Sequence, residues 1–197
     1  LSIDEQSLQA LSRSRELALS HKLAQSNHIR GLLSEFGVVI PQGYAALKQH
    51  IPLILEDAEN GLSEVFRSHL YRIWEALLAQ VEHVATLTRE LEKNVKTNPG
   101  CLKLMKLEGL GPLGALGLAL RLGKGNNFAS GRDASANIGL TPKQHSSGGK
   151  ERIGHVSKRS ADKRLRSILF QGALAVINHA VKRVAKTNKE LWLQALV

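Results

Sequence analysis

Cysteine, proline and aromatic residues are all scarce in this chain, and each scarcity closes off a class of protein. The single cysteine, Cys101, excludes an internal disulfide and any zinc site built from two or more thiolates. Such sparing use of thiols fits a reducing cytoplasm. Aromatic residues make up only 4% of the chain, which argues against a sheet that stacks the bases of a single strand. With five prolines among 197 residues and abundant Leu and Ala, the composition reads as helical. No apolar run reaches the length of a membrane span, and no signal peptide is visible. The eight histidines are scattered without metal-ligand spacing, so they read as packing or surface residues.

Acidic residues are scarce in one half only. Residues 1–98 carry 10 Lys+Arg against 12 Asp+Glu, a net charge of −2, whereas residues 99–197 carry 17 against 5, a net of +12. A near-neutral half joined to a strongly basic one suggests assembly in the first and a polyanion in the second. Asn98-Pro99-Gly100 marks a boundary between them. The expected organisation is therefore a helical hairpin over 1–98 and a second helical domain over 99–197, a mainly all-α fold.

Hydrophobic spacing fills in the first half. Residues 4–35 read as a long helix, capped at Asp4 or Ser7 and ended by Gly37, with Leu8, Leu11, Leu19, Leu23, Ile29, Leu32 and Leu33 on an incomplete apolar face. A short helix follows over 44–56, interrupted near Pro52. Over 62–96 the apolar residues Leu62, Phe66, Leu70, Ile73, Leu77, Val81, Val84, Leu87, Leu91 and Val95 recur at spacings of three and four, which predicts a long helix with one apolar face. Two long helices joined by a compact turn form an antiparallel hairpin, whose remaining apolar surface would meet either another subunit or the rest of the chain.

The basic half opens with a helix, a turn and a second helix. Glu108-Gly109-Leu110-Gly111 is the turn, and Pro112 suits the first turn of the next helix. This resembles the helix-hairpin-helix motif, in which backbone N–H groups at Gly109 and Gly111 would meet a nucleic-acid phosphate. A short helix is expected from Arg132 to Ile138, ending at Gly139. Another is expected from about Ser160 to Val184, with Ser160 as its cap, and a last one begins at Leu191. Between them, residues 139–166 gather Lys143, Lys150, Arg152, Lys158, Arg159, Lys163, Arg164 and Arg166 against only Glu151 and Asp162. Cations in the first turn of a helix oppose its dipole, which suggests that an anion sits there. Within this stretch a serine pair, Ser146-Ser147, precedes the flexible pair Gly148-Gly149. A hydroxyl flanked by cations suits chemistry on a phosphate.

The segments NHIRGLLSEFG (27–37), LEGLGPLGALGLAL (107–120), FASGRDASANIGLTPKQHSSGGK (128–150) and GHVSKRSADKRLRSILFQGA (154–173) closely resemble the insertion-sequence one-hundred-ten family of transposases, related to the Piv/MooV DNA invertases. The resemblance covers nearly the whole chain. It implies that complete members carry a RuvC-like domain with four Mg²⁺-binding carboxylates, then a coiled coil, then a C-terminal domain with a nucleophilic serine. The family's serine precedes its paired glycines and so falls on Ser147, with Ser146 as the runner-up. Lys150, Arg152, Lys158 and Arg159 would neutralise phosphate oxygens, and His145 could act as base. Partners implied are DNA, a structured bridge RNA and further copies of the chain, as a homodimer or tetramer through the hairpin, in the cytoplasm of a bacterium or archaeon at its nucleoid. The chain begins with Leu1 and is expected to be a piece lacking the RuvC-like domain, and therefore unable to cleave DNA alone. A contrasting expectation is a non-catalytic module that binds DNA or guide RNA and dimerises.

Overall fold

The computed structural model describes residues 2–144, 149, 152–156 and 162–195, with the backbone alone at 143 and 144. The described residues are mostly helical, as the composition predicts, and fall into two compact units. One comprises residues 7–91, the other residues 1–6 with 92–197.

In residues 7–91 the long helices α1 (Ile3–Glu35) and α3 (Glu64–Thr97) run antiparallel, with α2 (Tyr44–Glu56) between them in sequence. Their register is pinned by polar side chains that reach across. Arg15 Nε donates to Thr88 Oγ1 at 2.6 Å, Gln80 Nε2 to the Ala18 carbonyl at 3.0 Å and Gln25 Nε2 to the Ile73 carbonyl at 2.9 Å. Beneath them Ile29, Leu33, Leu47, Ile51, Leu70 and Leu77 are fully buried in one core, joined by Ile40 and Trp74. A smaller cluster of Ala18, Val84 and Leu87 continues it. Leu23, expected on the buried face of α1, is instead largely exposed.

Helix ends in this unit follow backbone chemistry. Gly37 adopts φ +76, its N–H meets the Ser34 carbonyl, and the Val38 N–H meets the Leu33 carbonyl. That pair of bonds is the Schellman closure, which glycine forms without steric cost. Pro52 does not interrupt α2, contrary to expectation. It lies on the exposed face, so the carbonyl one turn earlier that loses its N–H partner can be satisfied by water. The loop from α2 to α3 is gathered by Arg67, whose guanidinium donates to the carbonyls of Ile54, Leu55, Asp57 and Leu62 and to Asn60 Oδ1. At the start of α1 the cap is Ser2 rather than Asp4 or Ser7. The Ser2 hydroxyl accepts from the Glu5 N–H, and the Glu5 carboxylate accepts in return from the Ser2 N–H.

Residues 92–197 form a helical unit around α5 (Pro112–Leu122) and α7 (Lys163–Val181). Its shorter elements are α4 (Pro99–Leu104), α6 (Gly131–Ile138) and α8 (Asn188–Gln194). Asn98 caps α4 through its side chain, with Pro99 at the first helical position. Gly139 ends α6 at φ +82, where the sequence places the stop. Three features depart from the sequence expectation. Asp162, not Ser160, caps α7 by accepting from the N–H groups of Arg164 and Leu165; Ser160 lies outside the described residues. α8 begins at Asn188, earlier than expected, because Thr187 and Glu190 form a reciprocal capping box. The third is a small antiparallel strand pair, β1 (Pro142–Gln144) with β2 (Ile153–Val156), inside the cation-rich stretch for which the sequence predicts no strand. Strands this short leave no detectable alternation of apolar and polar residues.

Candidate nucleic-acid interface

Two glycines separated by one residue shape the turn between α4 and α5, and they differ in what the fold asks of them. Gly109 has φ +80, and a Cβ there would lie 2.6 Å from the Gly172 carbonyl oxygen of α7. Reciprocally, a Cβ on Gly172 would collide with the Gly109 carbonyl oxygen. The turn and α7 thus meet backbone to backbone, and both positions exclude any side chain. Gly111 has φ −80 as the cap residue of α5, and an added Cβ there would meet nothing within 4 Å. Packing does not require glycine at 111. The open space beside it leaves the backbone at the start of α5 approachable, on the side where the helix dipole favours an anion.

The same logic fixes α7 against α5. A Cβ on Gly114 would lie 3.1 Å from Ile168, and one on Gly117 would lie 2.9 Å from Leu165, so two glycines on one face of α5 seat two side chains of α7. Leu165 is buried by this contact, and its neighbour Arg164 is half-buried in the first turn. A salt bridge of 2.6 Å between Lys189 Nζ and Glu108 Oε2 also ties α8 to the turn. Neither Gly172 nor this pair is picked out from sequence. The detectable signal was a glycine inside the otherwise strong helix SILFQGALAV, which marks a close approach.

The stretch that bears the serine pair is framed by these elements. Arg121, in the last turn of α5, donates to the Asn137 carbonyl at 3.0 Å and holds the end of α6, from which Gly139 turns the chain toward β1. In the strand pair Pro142 pairs with Val156 and Gln144 with Ile153, with an irregularity in register between them. Lys143 is on β1, Arg152 is exposed just before β2, and Gly149 takes φ +77. Ser146, Ser147, His145, Lys150, Lys158 and Arg159 lie outside the described residues. Among the described residues no group of three or more His, Cys, Asp or Glu side chains could hold a metal ion, so the Mg²⁺ that the family resemblance implies has no fitting ligand set among them. No helix of the described residues is long and apolar enough to cross a membrane.

Residues 101–189, which contain the turn, the strand pair and α7, match the family model described as Transposase IS116/IS110/IS902 family. The chain is thus similar to this transposase family, and the likeness to its members extends along nearly the whole chain. It is 35% identical over 195 residues to a transposase for insertion sequence element IS1111A from Coxiella burnetii, covering 99% of this chain and 53% of the relative. A probable family 20 transposase of Pseudomonas aeruginosa is 31% identical over 197 residues, covering 100% of this chain and 57% of the relative. A transposase for insertion sequence element IS1328 from Yersinia enterocolitica is 33% identical over 170 residues, 86% of this chain and 50% of the relative. The chain spans about half the length of the curated relatives it matches. The family match begins at Cys101, inside α4, and so takes in the glycine turn as well as the serine stretch.

Proposed function

We propose that this chain is the serine-bearing part of a DNA transposase. The observation that carries the reading is the family match over 101–189, which encloses the serine pair, its paired glycines and the flanking cations in one segment. In the proposed step Ser147 Oγ attacks a DNA phosphodiester. A serine–phosphate bond forms, and the bond from phosphorus to one deoxyribose oxygen breaks. The serine proton passes to a base, for which His145 is the candidate on this chain, and the departing sugar oxygen takes up a proton. Lys150, Arg152, Lys158 and Arg159 neutralise the phosphate oxygens. Holding the strand as a phosphoserine ester keeps the energy of the broken bond available for rejoining to another strand.

Nucleic acid is held over a wider surface by backbone N–H groups at Gly111 and by the cations Lys143 and Arg164. Gly109 supports this indirectly, by letting the turn seat on α7. Binding therefore weakens steeply with added salt. The helical hairpin serves assembly with further copies. A guide RNA, a carboxylate domain with its Mg²⁺ and a place of action at the bacterial nucleoid belong to the same reading. The isolated chain then binds DNA without cutting it.

The test uses a full-length family protein with this chain's sequence, a labelled DNA target, metal and its RNA, with products resolved on a denaturing gel. A covalent protein–DNA adduct is expected in wild type and in Ser146→Ala, and none in Ser147→Ala, with DNA binding retained. DNA cut without an adduct would make this chain a binding and assembly module instead. In that case Lys158→Ala with Arg159→Ala would be the damaging change and Ser147→Ala would be silent.

A further inference from the structure

Residues 92–197 also contain a cavity of about 740 Å³ that the proposed strand-transfer chemistry does not use. It opens between the glycine turn, the second half of α7 and α8, within the size range of small-molecule pockets. Its walls are apolar and small: Ala175, Val176 and Ala180 from α7 and Leu193 from α8, with the backbone of Gly109 beside them. The Gly109–Gly172 approach sets how closely the turn comes to this wall.

The polar groups around these walls carry donors and acceptors in balance. Arg183 and Lys189 are opposed by Glu108 and Glu190, and His179 and Thr187 add groups of either kind. Glu190 is held in place, because its Oε2 accepts from the N–H groups of Lys186 and Thr187 at 2.7 and 3.0 Å. Glu108 is held by Lys189. A lining whose formal charges cancel does not select a phosphate. It suits an uncharged, flat ligand that has apolar faces and a polar edge. A nucleobase has that chemistry: arginine can grip the acceptor edge of guanine, and a carboxylate can accept from an exocyclic amine. Around the cavity the segment 182–189 carries Lys182, Arg183, Lys186 and Lys189, enough positive charge to bring a strand's backbone alongside.

We propose that this cavity receives one unpaired nucleobase of a strand bound to the chain. The proposal rests on the reading of the chain as part of a nucleic-acid recombinase, and adds to it a site that takes a base out of the stack. It gives the chain a means of sensing an unpaired position, whether in DNA or in RNA.

The test places 2-aminopurine at one unpaired position in a short strand, as DNA and separately as RNA, and reads its emission as the 197-residue chain is added. Anisotropy of an end-label on the same strand reports total binding. The lining carries no Phe, Tyr or Trp, so a base drawn out of the strand into the cavity exchanges its stacking neighbours for mainly aliphatic walls and its emission rises severalfold. Ala175→Trp fills the cavity from an exposed position. It should abolish the rise while anisotropy still reports binding, and circular dichroism checks that the helices persist. Arg183→Glu, also at an exposed position, should reduce the rise without needing any core rearrangement. The arm that responds, DNA or RNA, identifies the strand. Binding without a rise, or a rise that survives Ala175→Trp, would overturn the base pocket and leave the transposase reading standing. No binding by anisotropy in either arm would overturn both.

Discussion

In residues 7–91 the helices pack through large buried side chains, while in residues 92–197 a turn and a helix meet at glycine. The first unit completely buries Ile29, Leu33, Leu47, Ile51, Leu70, Leu77 and Leu91; the second buries Val95, Cys101 and Leu116 to the same degree. The second unit compensates with close approach: Gly109 against Gly172, Gly114 under Ile168 and Gly117 under Leu165. The two solutions suit different tasks. A core of large apolar side chains, with polar side chains reaching across, holds two long helices in one register. A unit packed through glycine keeps its turns tight and its backbone near the surface, where a polyanion can reach it. The charge division follows the same line, since the net positive charge of the chain lies beyond residue 98.

That contrast predicts opposite responses to adding and removing atoms. Leu77→Ala deletes fully buried methyl groups from the hairpin core, and should cost about 2–5 kcal/mol of stability in urea denaturation. A cost under about 1 kcal/mol would mean that the hairpin core is not packed as described.

Gly172→Ala adds one methyl group and should cost about 1–3 kcal/mol, because the atom it meets is a backbone carbonyl that cannot rotate away. Its effects should concentrate at the glycine turn and α8, visible as amide shifts around Gly109 and Lys189. Gly111→Ala is the matching control. Its φ of −80 suits any residue and the space beside it is open, so stability should change by no more than about 0.5 kcal/mol. If the backbone there meets a phosphate, nucleic-acid affinity should fall nonetheless. A large stability loss from Gly111→Ala, or none from Gly172→Ala, would break the distinction drawn between the two glycines.

How much of this was readable beforehand follows from how local each cause is. The long helices were legible because their apolar residues repeat over many turns, and the stops at Gly37 and Gly139 because a left-handed closing residue favours glycine. Trp74 was missed in the hairpin core although it lies one turn beyond Leu70, since an aromatic on that face was not needed to complete the pattern. The capping residues Ser2, Asp162 and Thr187 were missed or displaced, because several polar residues near each helix start could serve and only geometry chooses among them. The β1–β2 pair was invisible because strands of three and four residues carry no period. At the candidate interface, sequence placed Gly109 and Gly111 in one turn but could not separate their roles. That separation depends on Gly172, which is 63 positions beyond Gly109.

The smallest expected effect concerns the end of the glycine-packed unit, where polar closure takes the place of a leucine core. The Glu190 carboxyl is held below its ordinary value, chiefly by the hydrogen bond from the Lys186 N–H, with Thr187 adding its N–H and hydroxyl. A depressed carboxyl contributes stability that is fully present above its unfolded value and is lost as pH falls through the lower folded value. α8 should therefore loosen only under distinctly acidic conditions. The group is exposed, so the loss should be slight and local. Amide resonances of Lys186, Thr187 and Glu190 should shift together below the usual carboxylate range, with α1–α3 undisturbed. Glu190→Gln keeps an acceptor but removes the titration, so those shifts should vanish in the variant while α8 remains capped. If the same amides still titrate in Glu190→Gln, the capping box does not control this end of the chain, and the polar rim of the neighbouring cavity is held by something else.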